Sequence, residues 1–127
     1  MVNQQQENNE EHTLLFAGED ACFLSVNGQS IGVADGVGAW KSKGFDSSLL
    51  SRSLMSHCRF LMDSQRSNGH HVLSDAYRMI REENVVPAGS TTACCLSIVV
   101  DNGREHNDVR SGENDDSGVT IVGHVCV

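Results

Sequence analysis

The sequence predicts an α+β fold. Strand-like runs stand on either side of a middle stretch whose apolar residues recur at helical spacing, and the turn signals fall between these segments. The first strand pair is expected from ACFLSV (Ala21 to Val26) and IGVA (Ile31 to Ala34), which flank Asn27-Gly28, a strong hairpin signal. A first helix should follow Asp46, a good N-cap, because Leu50, Leu54, Cys58 and Leu61 share one face with Met55 and Met62 beside them. A second helix is expected from about Val72 to Glu83, with Leu73, Ala76, Tyr77 and Ile80 on one face and Pro87-Ala88-Gly89 as its breaker. Ser90 to Val100 (STTACCLSIVV) then reads as a β-rich run apolar enough to be buried on both faces. The tail from Val119 (VTIVGHVCV) should pair with it.

Charge divides the 127 residues further. Residues 1–11 carry Glu7, Glu10 and Glu11 without a base, and residues 101–116 hold six acids against Arg104 and Arg110. The expected organisation is a disordered acidic head over 1–12 and a folded body over 13–127. A polar, disordered insertion at 101–118, whose only apolar side chain is Val109, interrupts the body. The formal net charge of −8 argues against nucleic acid and anionic lipid as partners. No apolar run reaches the length a membrane helix needs, and the polar start MVNQQQENNEEH matches neither a secretory signal nor a transit peptide. The cysteines Cys22, Cys58, Cys94, Cys95 and Cys126 contain no C-x-x-C spacing and sit mostly inside apolar stretches, so they read as buried free thiols in a reducing, intracellular setting.

Several chemistries are excluded. No cysteine is followed six residues later by the arginine that a thiolate phosphate loop requires, and no nucleophile elbow, P-loop or dinucleotide fingerprint occurs. His70-His71 reads as an exposed pair and His57 as a packing or rim residue. The hydroxyls of Ser90, Thr91 and Thr92 are read as backbone-bonding groups at a strand start. What remains is acidic. If the two hairpin strands pair, Glu19-Asp20 and Asp35-Gly36 meet at its open end. Carboxylates beside an unshielded glycine carbonyl suit a hard divalent cation; a surface acidic pair capping a turn fits the same spacing.

Gly18-Glu19-Asp20-Ala21, Val33-Ala34-Asp35-Gly36-Val37-Gly38-Ala39-Trp40, Ser51-Arg52-Ser53-Leu54-Met55 and Gly89-Ser90-Thr91-Thr92-Ala93-Cys94 follow one another in order. This set resembles the metal-dependent protein serine/threonine phosphatases of the type 2C (PPM) family, in the branch carrying GEDA, VADGVGGW and GSSTAC. The resemblance implies the N-terminal portion of an αββα sandwich, two antiparallel sheets flanked by helices. It implies two Mn²⁺ or Mg²⁺ ions per complete domain, whose activated water hydrolyses phosphoserine or phosphothreonine in a phosphoprotein substrate. No protein nucleophile is needed. Carried over residue by residue, Asp35 and the Gly36 carbonyl would bind metal, and Glu19 and Asp20 would act through water or from the second shell. Gly38 would tighten the turn, while Trp40 and the first helix would be scaffold.

Two departures stand out. The family's basic residue upstream of the acidic pair has no counterpart in His12 to Phe16, and Ala39 replaces a glycine. The later segments that supply further metal-binding aspartates do not follow Val127. The expectation is therefore a fragment or truncated form, inactive alone. The alternative is a catalytically inactive truncated homologue acting as a protein-binding module.

Overall fold

The computed structural model describes residues 14–98 and 119–122. The expected acidic head, the insertion at 101–118, and Cys126 lie outside the described residues. Five strands form one antiparallel sheet in sequential order: β1 (Leu14–Ala17), β2 (Asp20–Leu24), β3 (Ser30–Gly36), β4 (Thr91–Ile98) and β5 (Val119–Val122). Two helices, α1 (Leu49–Asp63) and α2 (Val72–Glu83), connect β3 to β4, and a 3₁₀ helix (Gly38–Lys43) precedes α1. The α+β class holds. The described residues form a single sheet, and the second sheet of the sandwich is not among them.

The hairpin forms about Asn27-Gly28 as expected, with Gly28 at φ 71 and the Asn27 carboxamide oxygen accepting from the Gln29 N–H. Helical periodicity is equally direct. Leu50, Leu54, Met55, Cys58 and Leu61 of α1 are buried with Leu73, Ala76 and Ile80 of α2, and together they cover the sheet face carrying Ala21, Phe23, Ala34, Ala93 and Cys95. Phe23 is the largest buried side chain, and it lies over its cross-strand neighbour Gly32, where a Cβ would come within 2.2 Å of the ring. Gly32 therefore leaves the space that the aromatic ring fills.

Four expectations are corrected. The helix does not begin at Asp46: the Asp46 carboxylate accepts from the Ser48 N–H at 2.9 Å and its hydroxyl at 2.6 Å, turning the chain before α1 starts at Leu49. α2 has the expected span, but Asn84 rather than Pro87 ends it, its left-handed backbone (φ 54) returning an N–H to the Ile80 carbonyl. β4 is not buried on both faces. Thr91, Ala93, Cys95 and Ser97 are buried against the helices, while Thr92, Cys94 and Ile98 are exposed. Its apolar run contains side chains for two covered faces, and the described residues cover one. The thiols divide accordingly: Cys58 and Cys95 are buried, Cys22 is half-buried and Cys94 exposed. β1 is an additional strand; LLFA shows no alternation and is defined by its pairing with β2.

Candidate metal centre

The register of β2 and β3 sets Asp20 directly opposite Asp35, with Ala21 opposite Ala34. Both aspartates fall on the open face because side chains alternate along each strand and their neighbours Ala21 and Ala34 face the helices. Their cross-strand positions set two like charges against each other. Desolvation and then the negative charge of Asp35 raise the Asp20 carboxyl above its ordinary range, with Glu19 adding to the repulsion and the Gly36 N–H opposing it. Among the described residues neither Asp20 nor Asp35 forms an ion pair. A divalent cation would relieve that repulsion.

Gly36 is the tightest point of the corner. A Cβ there would lie 2.6 Å from the Glu19 carbonyl oxygen and 2.7 Å from that of Ser47, so only glycine fits. Gly38 is less constrained, since a Cβ would meet only the Glu19 side chain, at 3.4 Å. The surrounding backbone is cross-tied. The Thr91 hydroxyl donates to the Asp35 carbonyl at 2.9 Å, the Val37 N–H to the Ser90 carbonyl at 2.9 Å, and the Ser51 hydroxyl to the Glu19 carbonyl. The Arg52 guanidinium reaches the Gly18 carbonyl at 2.9 Å and packs over the Phe16 ring. These ties hold the β1–β2 turn and the β3 end against the start of α1.

Glu19 belongs to a different arrangement from Asp20. Its carboxylate pairs with the Lys41 ammonium and accepts from the Ser47 hydroxyl at 3.4 Å. The hydrogen bond from Lys41 holds its pKa below the ordinary glutamate range. Sequence reasoning named Glu19, Asp20, Asp35 and Gly36, which the structure brings to one corner, and did not anticipate Lys41. Its only signal was a lysine directly after Trp40, in the 3₁₀ turn that follows the glycines. Trp40 is scaffold: its indole N–H donates to the Ser90 hydroxyl at 3.1 Å and its ring meets Phe45 edge-on.

The other singled-out residues behave structurally. His70 and His71 are exposed. His57 sits at the rim, its imidazole between the Ser53 carbonyl and the Glu83 carboxylate, where it ties α1 to α2. Thr91 bonds backbone oxygen atoms, as expected of a hydroxyl at a strand start. No group of three or more His, Cys, Asp and Glu side chains able to hold a metal converges among the described residues. The Asp20–Asp35 pair beside Gly36 fits part of a hard-cation donor set.

The fold agrees with what comparison finds. Curated proteins similar to the chain over most of its length are protein phosphatases, and the chain belongs to their family, type 2C (PPM). They include the protein phosphatase PTC7 homolog of Xenopus laevis and that of Homo sapiens, each 36% identical over 83% of this chain. The PTC7 homolog fig of Drosophila grimshawi is 32% identical over 84% of it. The chain spans only about a third of their length, 36%, 35% and 35% respectively. No family model matches the chain, and no solved structure matches it. Among the described residues no helix is long and apolar enough to cross a membrane.

Proposed function

We propose that the chain is part of a metal-dependent protein serine/threonine phosphatase and carries one wall of its metal centre. The observation that supports this most is the cross-strand pairing of Asp20 with Asp35 beside a position that admits only glycine. Asp35 would span the ions and the Gly36 carbonyl would add a neutral oxygen ligand, while Asp20 and Glu19 would orient waters from beside them. When bound, two Mn²⁺ or Mg²⁺ ions supply a water activated for in-line attack on the phosphorus of phosphoserine or phosphothreonine. The chain's own task is to fix these oxygens on a strand pair cross-tied to β4 and α1, so that the donors do not have to reorganise.

The test is Mn²⁺-dependent hydrolysis of an aryl phosphate by a form spanning the length of the relatives. Asp35→Asn should lower the rate on the order of 10³-fold or more, because several kcal/mol of barrier depend on the activated water. A rate within threefold of the parent at saturating Mn²⁺ rejects the assignment. The 127-residue chain alone should not turn over a phosphothreonine peptide, since one wall offers too few anionic ligands for tight binding. A second reading, a catalytically inactive protein-binding module, is favoured by the exposed apolar row Leu24, Ile31 and Val33. Absence of metal-dependent turnover in the longer parent form would leave that reading standing.

A further inference from the structure

At the end of the sheet opposite the aspartate pair, a cleft of about 400 Å³ opens between the β2–β3 turn and the loop from α1 to α2. Ser30 begins β3 and Asp35 nears its end, so the two places are about 17 Å apart along the strand. The floor of the cleft is a cross-strand pair, Ser30 opposite Ser97, whose buried hydroxyls lie 3.0 Å apart. Two hydroxyls joined by one hydrogen bond keep one proton over, and no acceptor among the described residues takes it. The carboxamides of the walls are oriented by backbone N–H groups, which can only donate. Asn68 spends its oxygen on the His70 and His71 N–H groups, at 3.0 and 3.2 Å, and keeps its amide hydrogens. Asn27 spends its oxygen on the Gln29 N–H. Its nitrogen therefore donates to the Gln29 side-chain oxygen, at 3.2 Å, which leaves the Gln29 amide hydrogens over.

Gln65 adds an observation of a different kind. Its backbone is left-handed (φ 55) and closes α1: its N–H reaches the Met62 carbonyl at 3.2 Å, and that of Arg66 reaches Leu61 at 2.9 Å. Such a position favours glycine or asparagine, and α2 closes with Asn84 in the same conformation. Glutamine there holds a strained backbone, while its carboxamide makes no hydrogen bond among the described residues and lines the cleft. None of the described residues lining the cleft is charged. The carbonyl end of α1 and the Asp75 carboxylate, which accepts from the Ser67 hydroxyl of the cleft wall at 2.7 Å, disfavour an anion. The surplus of hydrogen-bond donors disfavours a cation. An uncharged molecule rich in carbonyl oxygens fits, with Met62 and Ile98 as its apolar contacts. We propose that this cleft binds an uncharged, extended stretch of peptide from a partner protein. Gln65 sets its oxygen and its amide against the N–H and the carbonyl of one peptide unit. Gln29, Asn68 and the serine pair donate to the neighbouring carbonyls. The site is separate from the acidic corner and does not depend on the metal-centre reading.

The experiment titrates the ¹⁵N-labelled 127-residue chain with N-acetyl-trialanine amide and follows the backbone amide signals. Signals of residues 27–30 and 65–69 should shift and saturate, with a dissociation constant of roughly a millimolar, while those of Asp20 and Asp35 stay in place. The same tripeptide ending in a free carboxylate should bind at least about threefold more weakly, because of the negative potential beside the cleft. Gln65→Gly should weaken binding at least about fivefold and yet raise the melting temperature by about 3 °C, since glycine relieves the left-handed backbone. That opposition of signs separates a binding role from a structural one. Gln65→Glu, which keeps the length of the side chain and removes its donors, should weaken binding as much as Gln65→Gly does. Absence of saturable shifts, unchanged affinity in both variants, or a lower melting temperature of Gln65→Gly overturns the proposal. Equal or tighter binding of methyl glucoside at the same signals overturns the peptide assignment in favour of a polyol.

Discussion

On the face of the sheet covered by α1 and α2, Ala21, Phe23, Ala34, Ala93 and Cys95 are each at most 4% exposed, whereas Leu24, Ile31 and Val33 on the other face are 43–53% exposed. The same strands make both faces, because alternate residues point opposite ways. The covered face is small and tightly filled: alanines, a glycine beneath one phenylalanine, and a buried thiol. The open face is apolar along its length and ends in the aspartate pair. The difference teaches that packing against the helices fixes where the strands lie, and that this register in turn brings the two carboxylates together on the side that packing leaves free.

The contrast can be broken most strongly from the covered side. Phe23→Ala removes the largest buried side chain and exposes a void over Gly32; it should cost about 3–5 kcal/mol, measured as a shift in urea midpoint. A cost below about 1 kcal/mol would mean that this face is not the stabilising one. Gly36→Ala comes next. Its Cβ must push back two backbone carbonyls, those of Glu19 and Ser47, neither of which is a flexible side-chain tip. We expect about 1–3 kcal/mol of destabilisation, as for overpacked interiors, read in the same assay. A neutral result would show that the corner can open without cost.

On the open side the effects should be smaller and partly opposite in sign. Asp20 in the folded chain holds its proton more tightly than the ordinary aspartate value of 3.8. Its contribution to stability is therefore fully present below that value and is lost as pH rises through the higher folded one. Asp20→Asn removes this loss. It should raise the melting temperature of the metal-free chain at pH 7, and the gain should shrink as the pH is lowered toward 3.5. A variant that melts lower than the parent at pH 7 would show that the pair is not repulsive. Smallest of all, Val33→Thr on the open face should alter stability by no more than about 0.5 kcal/mol by chemical denaturation. A loss above 2 kcal/mol would show that the face is covered in solution.

Much of the fold was legible because its signals are local. The residues Val72 to Glu83 form α2 as the periodicity predicts, and α1 buries the very face that Leu50, Leu54, Cys58 and Leu61 mark. Asn27-Gly28 announced the hairpin, and the order of four short motifs announced the family. The boundaries were less legible where two local signals competed. Asp46 has the chemistry of a cap but spends it on the Ser48 turn, and Asn84 stops α2 before Pro87 can.

By itself, then, the sequence determined the helices, the hairpin, the acidic residues of the corner and the phosphatase family. All of these depend on spacing within a short stretch of chain or on matching motifs. Only the tertiary structure decided that Asp20 stands opposite Asp35 and that Leu14–Ala17 is a strand. It also decided that Gly36 must be bare between two carbonyls, and that Lys41 rather than any upstream base meets Glu19. The reason is the same in each case. A register, a close backbone approach and an ion pair across 22 residues are contacts between segments, and a segment's own pattern states what it can bury without stating what it will meet.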